Sequence, residues 1–166
     1  MKTNACRMLD ALGVSYETRE YTVDPDDLSG QTVAKKIGLP PEQVFKTLLC
    51  RVNHGQIVFA VLSVVDELDF KKLAAAAGGR RAELVSIQEV QPLTGYIRGG
   101  VTVFGSKKAF PVFADESIEL FDTISVSAGI RGLQILLAPA DYLRAAETKL
   151  VDLTRLPASS HLGAAQ

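Results

Sequence analysis

The chain has 166 residues, of which 47% are hydrophobic and 22% are charged, which suits one compact domain rather than two. Its 18 basic residues are balanced by 19 acidic ones, a balance that argues against a protein holding nucleic acid by phosphate attraction alone. No apolar stretch reaches the length of a membrane span, and the first residues lack the pattern of a signal peptide. Cys6 and Cys50 lack ligand spacing, so we expect a cytoplasmic protein with reduced thiols.

The first part of the chain predicts alternating helices and strands. Gly13 ends the first predicted helix. In the second, Ser29 is placed to cap the first turn and Gly38 ends the helix. Two apolar segments joined by the turn residues 53–55 then predict an antiparallel hairpin, with the second strand central in the sheet. In chain order, the segments are a helix over 3–12, a strand over 16–22, a helix over 29–37, and strands over 43–52 and 56–65.

The second part predicts three further helices and three strands. Asp66 is interpreted as the cap of a helix through Ala77, and Ser86 with Glu89 has the spacing of a capping box. The pattern as a whole indicates an α/β (α+β) fold with a mixed, largely antiparallel sheet. We expect one domain over residues 1–156 and a loose tail over 157–166. The remaining segments are strands over 112–114, 123–127 and 133–137, and a final helix from Pro139 to about Lys149.

Lys46 interrupts an otherwise almost wholly apolar strand. Burying an unpaired ammonium is costly or lowers its pKa, so this lysine needs an anion, a carboxylate or a route to water. Two interpretations stay open at this point. Lys46 is either a functional residue or an edge-strand lysine whose stem packs on the core while its ammonium reaches solvent.

Six of the 13 glycines fall between Gly95 and Gly132. Glycine permits positive φ and lets backbone N–H groups face a ligand, so such a region can form an anion nest or an oxyanion site. The alternative is a set of tight turns between strands. The spacing matches neither a phosphate loop nor a dinucleotide-binding loop.

The side chains used in common nucleophilic and metal-dependent catalysis are poorly placed. His54 lies in the predicted hairpin turn and His161 in the tail, so neither is a good general base. No group of His, Cys, Asp and Glu has metal-ligand spacing, and the acidic residues 26–27, Asp66 and Asp69 are interpreted as turn and cap residues. An enzyme with these residues would rely on positioning, backbone donors and a lysine. That fits a hydrolase whose substrate brings its own reactive group.

Four segments in this order and spacing resemble the YbaK/EbsC family of bacterial aminoacyl-tRNA deacylases. That family is similar to the editing domain inserted in some prolyl-tRNA synthetases. The resemblance covers roughly Met1 to Leu153. The segments are Tyr21 followed by Asp24-Pro25, Lys46-Thr47-Leu48-Leu49, Thr94-Gly95-Tyr96 to Gly99-Gly100, and Ser127-Ala128-Gly129-Ile130-Arg131-Gly132-Leu133.

The resemblance implies a curled, barrel-like mixed sheet surrounded by helices. It also implies a free-standing editing protein that hydrolyses mischarged tRNA, typically cysteine attached to proline tRNA. The cysteine thiol would attack its own ester carbonyl and leave as a thiolactone, so no metal or other cofactor is expected.

The same resemblance implies roles for individual residues. Lys46 would meet the phosphate or hydroxyl side of the terminal adenosine, and the amides of Gly99 and Gly100 would polarise the ester carbonyl. Tyr21 and Thr47 would line the pocket. The opposite wall would be formed by Ser127, Gly129 and Arg131.

Gln134 departs from the family pattern, because some relatives carry an aspartate after Arg-Gly-Leu. A neutral amide donates and accepts hydrogen bonds but cannot act as a base, so this position could shift the amino-acid preference towards alanine on proline tRNA. The near-neutral charge implies that the protein alone binds tRNA weakly. The resemblance implies that a partner, chiefly prolyl-tRNA synthetase, supplies the selectivity. A non-catalytic module that binds aminoacyl-tRNA or a synthetase stays open as a different class.

Overall fold

The computed structural model describes residues 2–156, which form short helices around three β-sheets. Two further turns of 3₁₀-helix cover Pro41–Gln43 and Glu116–Leu120. The helices are α1 (Asn4–Ala11), α2 (Gly30–Ile37), α3 (Phe70–Ala76), α4 (Ile87–Thr94) and α5 (Pro139–Ala145). The strands are β1 (Glu17–Glu20), β2 (Phe45–Val52), β3 (Gln56–Ser63), β4 (Glu67–Leu68), β5 (Ala82–Leu84), β6 (Val112–Asp115), β7 (Ile124–Ser127), β8 (Leu133–Leu137), β9 (Lys149–Val151) and β10 (Thr154–Arg155).

The largest sheet has five strands in the order β5-β2-β3-β6-β9. β2 and β3 form the predicted antiparallel hairpin, with Lys46 opposite Leu62, whereas β3 pairs with β6 in parallel. Along β3, Phe59 and Val61 enter one apolar cluster and Ala60 and Leu62 enter another. Since side chains alternate along a strand, β3 is buried on both faces. The prediction that it is a central strand is confirmed.

A three-stranded antiparallel sheet, β1-β8-β7, packs beside the large one. The two sheets meet through a single parallel bridge between Val44 and Ser125. They enclose the main core, to which Phe59, Ile124 and Ile135 contribute from both sides. Together the two sheets form a curled mixed arrangement that does not close into a barrel. β10 and β4 pair separately as a two-stranded sheet.

Capping residues fix the first two helices where the sequence predicts them. The Thr3 and Ser29 side chains accept hydrogen bonds from backbone N–H groups of the first turns of α1 and α2. Gly38 then ends α2 in the left-handed conformation, with φ of 76°. None of the helices among residues 2–156 is long and apolar enough to cross a membrane.

Three details of the predicted elements are wrong. Asp66 is not a helix cap, because Asp69 accepts from the N–H groups of residues 71 and 72 at the start of α3. Ser86 precedes α4 but makes no side-chain cap bond. The last helix ends at Ala145, and Lys149 instead begins β9, which pairs with β6. The tail predicted over 157–166, including His161, lies outside the described residues.

Candidate active site

A cavity of about 500 Å³ opens where β2 and β7 diverge. β2 and β7 are joined by one bridge, between Val44 and Ser125, and β5 pairs with β2 from Cys50 onward. Between Val44 and Cys50, this edge of β2 has no strand partner in the described part of the chain. The strand edge between these points therefore borders the cavity. Its lining is mainly apolar, and the polar positions are Lys46, Thr47, Arg98, Gly99, Ser127 and Gln134.

Lys46 is half-buried on β2, and its ammonium Nζ donates a hydrogen bond of 2.7 Å to the backbone carbonyl of Asp66. Burial lowers the pKa of Lys46, and the negative charges of Asp66 and Glu67 partly oppose that shift. An ammonium has three donors, so this single bond orients the group and leaves N–H groups for a ligand. The lysine is thus held at the cavity rather than extended into open solvent.

The anchor of Lys46 is a tight turn after β3. The N–H of Asp66 donates to the carbonyl of Ser63 at 3.1 Å, and the N–H of Val65 donates to Ser63 Oγ at 3.3 Å. Burial and the nearby charge of Asp115 raise the pKa of the Asp66 carboxyl, against the effect of Lys46. Sequence reasoning missed this contact, because a backbone carbonyl acceptor leaves no side-chain signature.

Thr47 also lines the cavity, and its backbone faces the opening. The carbonyl of Leu49 accepts from Val85 on this side of β2, whereas the carbonyl of Val44 accepts from Val64 on the β3 side. Backbone groups alternate in direction along a strand, so the N–H of Thr47 points to the same side as the Leu49 carbonyl. It is a further donor that the sequence did not single out.

Gln134 and Ser127 form the opposite wall, directly across from each other on β8 and β7. Gln134 is only 5% exposed, and its Oε1 accepts a hydrogen bond of 2.7 Å from Ser125 Oγ. Ser127 Oγ accepts from the N–H of Gly129. The buried serine orients the Gln134 amide, so this neutral group is fixed in the cavity wall.

Gly99 and Gly100 occupy different environments. Gly99 has φ of 88° and lines the cavity. Gly100 is buried, its N–H donates to the carbonyl of Ile97 at 2.8 Å, and a Cβ there would lie 3.2 Å from the backbone of Ile130. The amide of Gly100 is therefore used within a turn, and Gly99 is the better-placed candidate for an oxyanion donor.

Tyr21 and Arg131 line a second, more open cavity of about 490 Å³ instead of the first. Gly129 lines neither; it packs against the ring of Tyr96, where a Cβ would lie 2.9 Å from Cε1. Five of the predicted site residues line the first cavity: Lys46, Thr47, Gly99, Ser127 and Gln134.

Within residues 2–156, no group of three or more His, Cys, Asp and Glu residues could hold a metal ion. The residues that line the first cavity include no imidazole, thiol or carboxylate. His54 is exposed in the hairpin turn. Cys50 is buried, which raises the pKa of its thiol to about 12 and keeps it protonated.

The family model described as an aminoacyl-tRNA editing domain matches residues 25–145 of this chain. The chain belongs to this family. EbsC of Enterococcus faecalis, a proposed Cys-tRNA(Pro)/Cys-tRNA(Cys) deacylase, is 39% identical over 153 residues, covering 92% of this chain and 93% of EbsC. The multifunctional Ser/Thr-tRNA deacylase ProXp-y of Escherichia coli K12 is 33% identical over 148 residues, covering 86% of this chain and 89% of ProXp-y.

The editing-domain fold also appears among solved structures. A proposed trans-editing enzyme for prolyl tRNA synthetase superposes with a TM-score of 0.78 at 20% identity, covering 94% of this chain and 99% of that one. At that identity the likeness shows the fold alone. Together with the family model and EbsC, it confirms the resemblance to the YbaK/EbsC family and the α/β fold.

The editing domain has an apolar rim that the sequence analysis did not single out. Leu84 and Ile87, which are 52% and 65% exposed, line the end of the first cavity near α4. Arg51 Nη2 on β2 holds this helix by a 2.9 Å ion pair with Glu89, whose other oxygen accepts from Ser86 Oγ at 2.8 Å. The spacing of Ser86 and Glu89 therefore reflects a hydrogen bond between their side chains and not a capping box.

Proposed function

We propose that this protein hydrolyses the ester bond of mischarged aminoacyl-tRNA, with cysteinyl proline tRNA as its leading substrate. The observation that carries the proposal is that Lys46 and Gly99 line the same cavity, and that no imidazole, thiol or carboxylate lines it with them. The protein supplies positive charge and N–H donors, and the substrate supplies the nucleophile. The name of EbsC supports cysteine as the amino acid.

In the proposed reaction, the cysteine sulfur attacks its own ester carbonyl carbon. The N–H groups of Gly99 and Thr47 stabilise the negative charge that develops on the carbonyl oxygen. A C–S bond forms, the C–O bond to the ribose breaks, and the ribose hydroxyl takes the proton that the thiol loses. Water then opens the released thiolactone to free cysteine. Lys46 holds the terminal ribose or its phosphate through the N–H groups that Asp66 leaves free.

A second candidate is hydrolysis of seryl or threonyl esters, which the similarity to ProXp-y favours. A hydroxyl does not ionise near neutral pH as a thiol does, so this reaction would need an activated water. Gln134 is placed to recognise such a hydroxyl, since its amide both donates and accepts hydrogen bonds. Because the Gln134 amide carries no charge, alanyl proline tRNA stays open as a third substrate. A different class also stays open, a module that binds aminoacyl-tRNA in this cavity without cleaving it.

The proposal extends to a protein partner. A net charge of −1 gives the chain little electrostatic attraction for the tRNA backbone, so we assign selectivity for proline tRNA to association with prolyl-tRNA synthetase. This function places the protein in the cytoplasm, where tRNA is charged.

The test is to incubate the protein with proline tRNA carrying cysteine, serine, threonine or alanine and to follow the loss of each ester at one enzyme concentration. The proposal expects the cysteinyl ester to disappear fastest. Faster loss of the seryl and threonyl esters would favour the second candidate. Binding of all four without turnover would leave a non-catalytic module.

A further inference from the structure

Gln134 is held in the wall of the first cavity by a serine from the neighbouring strand. Ser127 pairs directly with Gln134, and Ser125 pairs with Leu136, so Ser125 lies diagonally opposite Gln134 on the same face of the two strands. Ser125 is fully buried, and its hydroxyl donates the 2.7 Å hydrogen bond to Gln134 Oε1. Among residues 2–156, this is the one hydrogen bond that the Ser125 hydroxyl makes.

The direction of this bond fixes which side of the Gln134 amide is open to a ligand. A serine hydroxyl carries a single hydrogen, and the reverse orientation of the amide would leave that buried hydrogen without an acceptor, which is costly. Within residues 2–156, Gln134 Nε2 has no protein partner, yet it is not enclosed, because the enclosed unpaired side-chain atoms belong to other residues. Since Gln134 lines the cavity, its two N–H groups are available there.

The other donors of the cavity leave one kind of acceptor for Gln134. In the proposed reaction, the amides of Gly99 and Thr47 bind the carbonyl oxygen, and Lys46 binds the ribose or its phosphate. The amine and the side chain of the amino acid remain. An ammonium has donors and no lone pair, so it does not pair with N–H groups. The sulfur of cysteine and the oxygen of serine or threonine do accept hydrogen bonds.

We propose that Ser125 is a positioning residue that makes the site selective for amino acids with sulfur or oxygen on the β-carbon. It turns the N–H groups of Gln134 towards that atom. This inference rests on the proposed function, which places the ester. It sets cysteinyl, seryl and threonyl groups apart from the alanyl group, whose methyl would leave the N–H groups unpaired. A site built to hydrogen-bond a substrate group discriminates strongly against an analogue that lacks it.

The experiment measures dissociation constants for 3′-aminoacylamino-3′-deoxyadenosines, in which a stable amide replaces the ester. Two pairs of ligands of nearly equal size isolate the side-chain atom. Seryl against 2-aminobutyryl exchanges a hydroxyl for a methyl group. O-methylseryl against norvalyl exchanges an ether oxygen, which only accepts hydrogen bonds, for a methylene. In the wild type, the oxygen-bearing member of each pair should bind about fivefold to tenfold more tightly.

Variants assign this preference to the two residues. Gln134→Met removes the amide at nearly constant length, so both preferences should vanish. Gln134→Glu places a carboxylate oxygen where the N–H groups were, so the preference for the ether should be lost or reversed, whereas the seryl hydroxyl can still donate. Ser125→Ala lets the amide present either side, so it should lower the preference for the ether several-fold. In the Gln134→Met background, Ser125→Ala should change neither preference.

Two controls separate positioning from a general structural effect. Ser117→Ala removes another enclosed hydroxyl, from a residue that lines neither cavity, and should keep both preferences. In ¹⁵N NMR spectra, the Gln134 side-chain amide signals are those absent from Gln134→Met, and they should shift with O-methylseryl and much less with norvalyl. Thermal melting checks the fold. If Ser125→Ala does not fold, Ser125→Cys, whose thiol is a weak donor, should lower the preference for the ether in the same way.

Each adverse result overturns a definite part. Equal affinities within both pairs in the wild type, or failure of every analogue to bind, would overturn the inference, and cleavage of the cysteinyl ester would then support the proposed function alone. An unchanged preference in a folded Ser125→Ala protein, or an equal loss in Ser117→Ala, would overturn the positioning role of Ser125. If the preferences are found but no ester is cleaved, the proposed hydrolysis fails while the recognition of the side chain stands.

Discussion

The two walls of the first cavity are built in different ways. On β2, regular pairing with β3 fixes Lys46 and Thr47, and side chains and backbone both face the opening. On the glycine-rich wall, neighbouring residues have different uses, since Gly99 lines the cavity while the N–H of Gly100 is bonded within a turn. Strand periodicity therefore locates functional side chains, whereas in a glycine-rich loop hydrogen bonding decides which amide is free.

The largest effect should come from Gly99. An alanine there must adopt a φ of 88° and meets the Arg131 side chain, so the amide should turn away from the ester. Loss of one oxyanion donor typically costs about 10²- to 10³-fold in rate, and we expect a loss of that order in single-turnover deacylation.

A matched control for Gly99→Ala is Gly13→Ala. Gly13 also has positive φ, at 70°, but no atom lies within 4 Å of its added Cβ. It carries the same backbone strain far from the cavity. If both variants lose activity equally, backbone strain rather than the oxyanion role accounts for the loss.

Lys46→Ala should have the next largest effect. Removing a charge-assisted hydrogen bond to the substrate costs about tenfold to a hundredfold in rate or affinity. The fold should be kept, because within residues 2–156 the ammonium makes one hydrogen bond to the protein. Single-turnover rates and thermal melting measure the two effects. Wild-type turnover in a folded Lys46→Ala protein would remove Lys46 from the mechanism, and an unfolded variant would indicate a packing role for its stem.

Gly100→Ala should separate the two glycines. The added Cβ lies 3.2 Å from the backbone of Ile130, so we expect a loss of stability of about 1–3 kcal/mol from overpacking. The rate measured well below the melting temperature should stay within a few-fold of the wild type. A loss of rate as large as that of Gly99→Ala, at unchanged stability, would restore Gly100 as an oxyanion donor.

The smallest effect concerns pH. Burial lowers the pKa of Lys46. The rate of deacylation should therefore fall with rising pH, at a pH below the one at which an exposed lysine loses its proton. The unfolded chain binds more protons than the folded one between the two pKa values, so the contribution of Lys46 to stability should rise with pH there. Denaturant unfolding of wild type and Lys46→Met at several pH values tests this, and a wild-type stability that falls relative to Lys46→Met would contradict it.

Much of the fold could be predicted, because caps and apolar periodicity are local. Ser29, Gly38 and the β2–β3 hairpin show this. The local pattern misassigns Asp66 and Lys149, since their surroundings are set by contacts distant in the chain: the Lys46 ammonium and the pairing of β9 with β6. The site residues on β2 follow from the strand pattern. The separation of Tyr21 and Arg131 into a second cavity does not, because it depends on how residues 20–23 at the end of β1 lie against residues 130–133.

The proposed mechanism requires the substrate to supply the nucleophile. The most direct measurement compares single-turnover rates for cysteinyl and S-methylcysteinyl proline tRNA with one preparation of the wild-type protein. The methyl group blocks the thiol and leaves the ester, the amine and the tRNA unchanged. We expect the S-methylcysteinyl ester to bind comparably and to react at least about a hundredfold more slowly, a conservative bound because effective molarities of well-oriented intramolecular reactions reach about 10⁵ M or more. Equal rates for the two esters would contradict the claim and point to an activated water in the cavity.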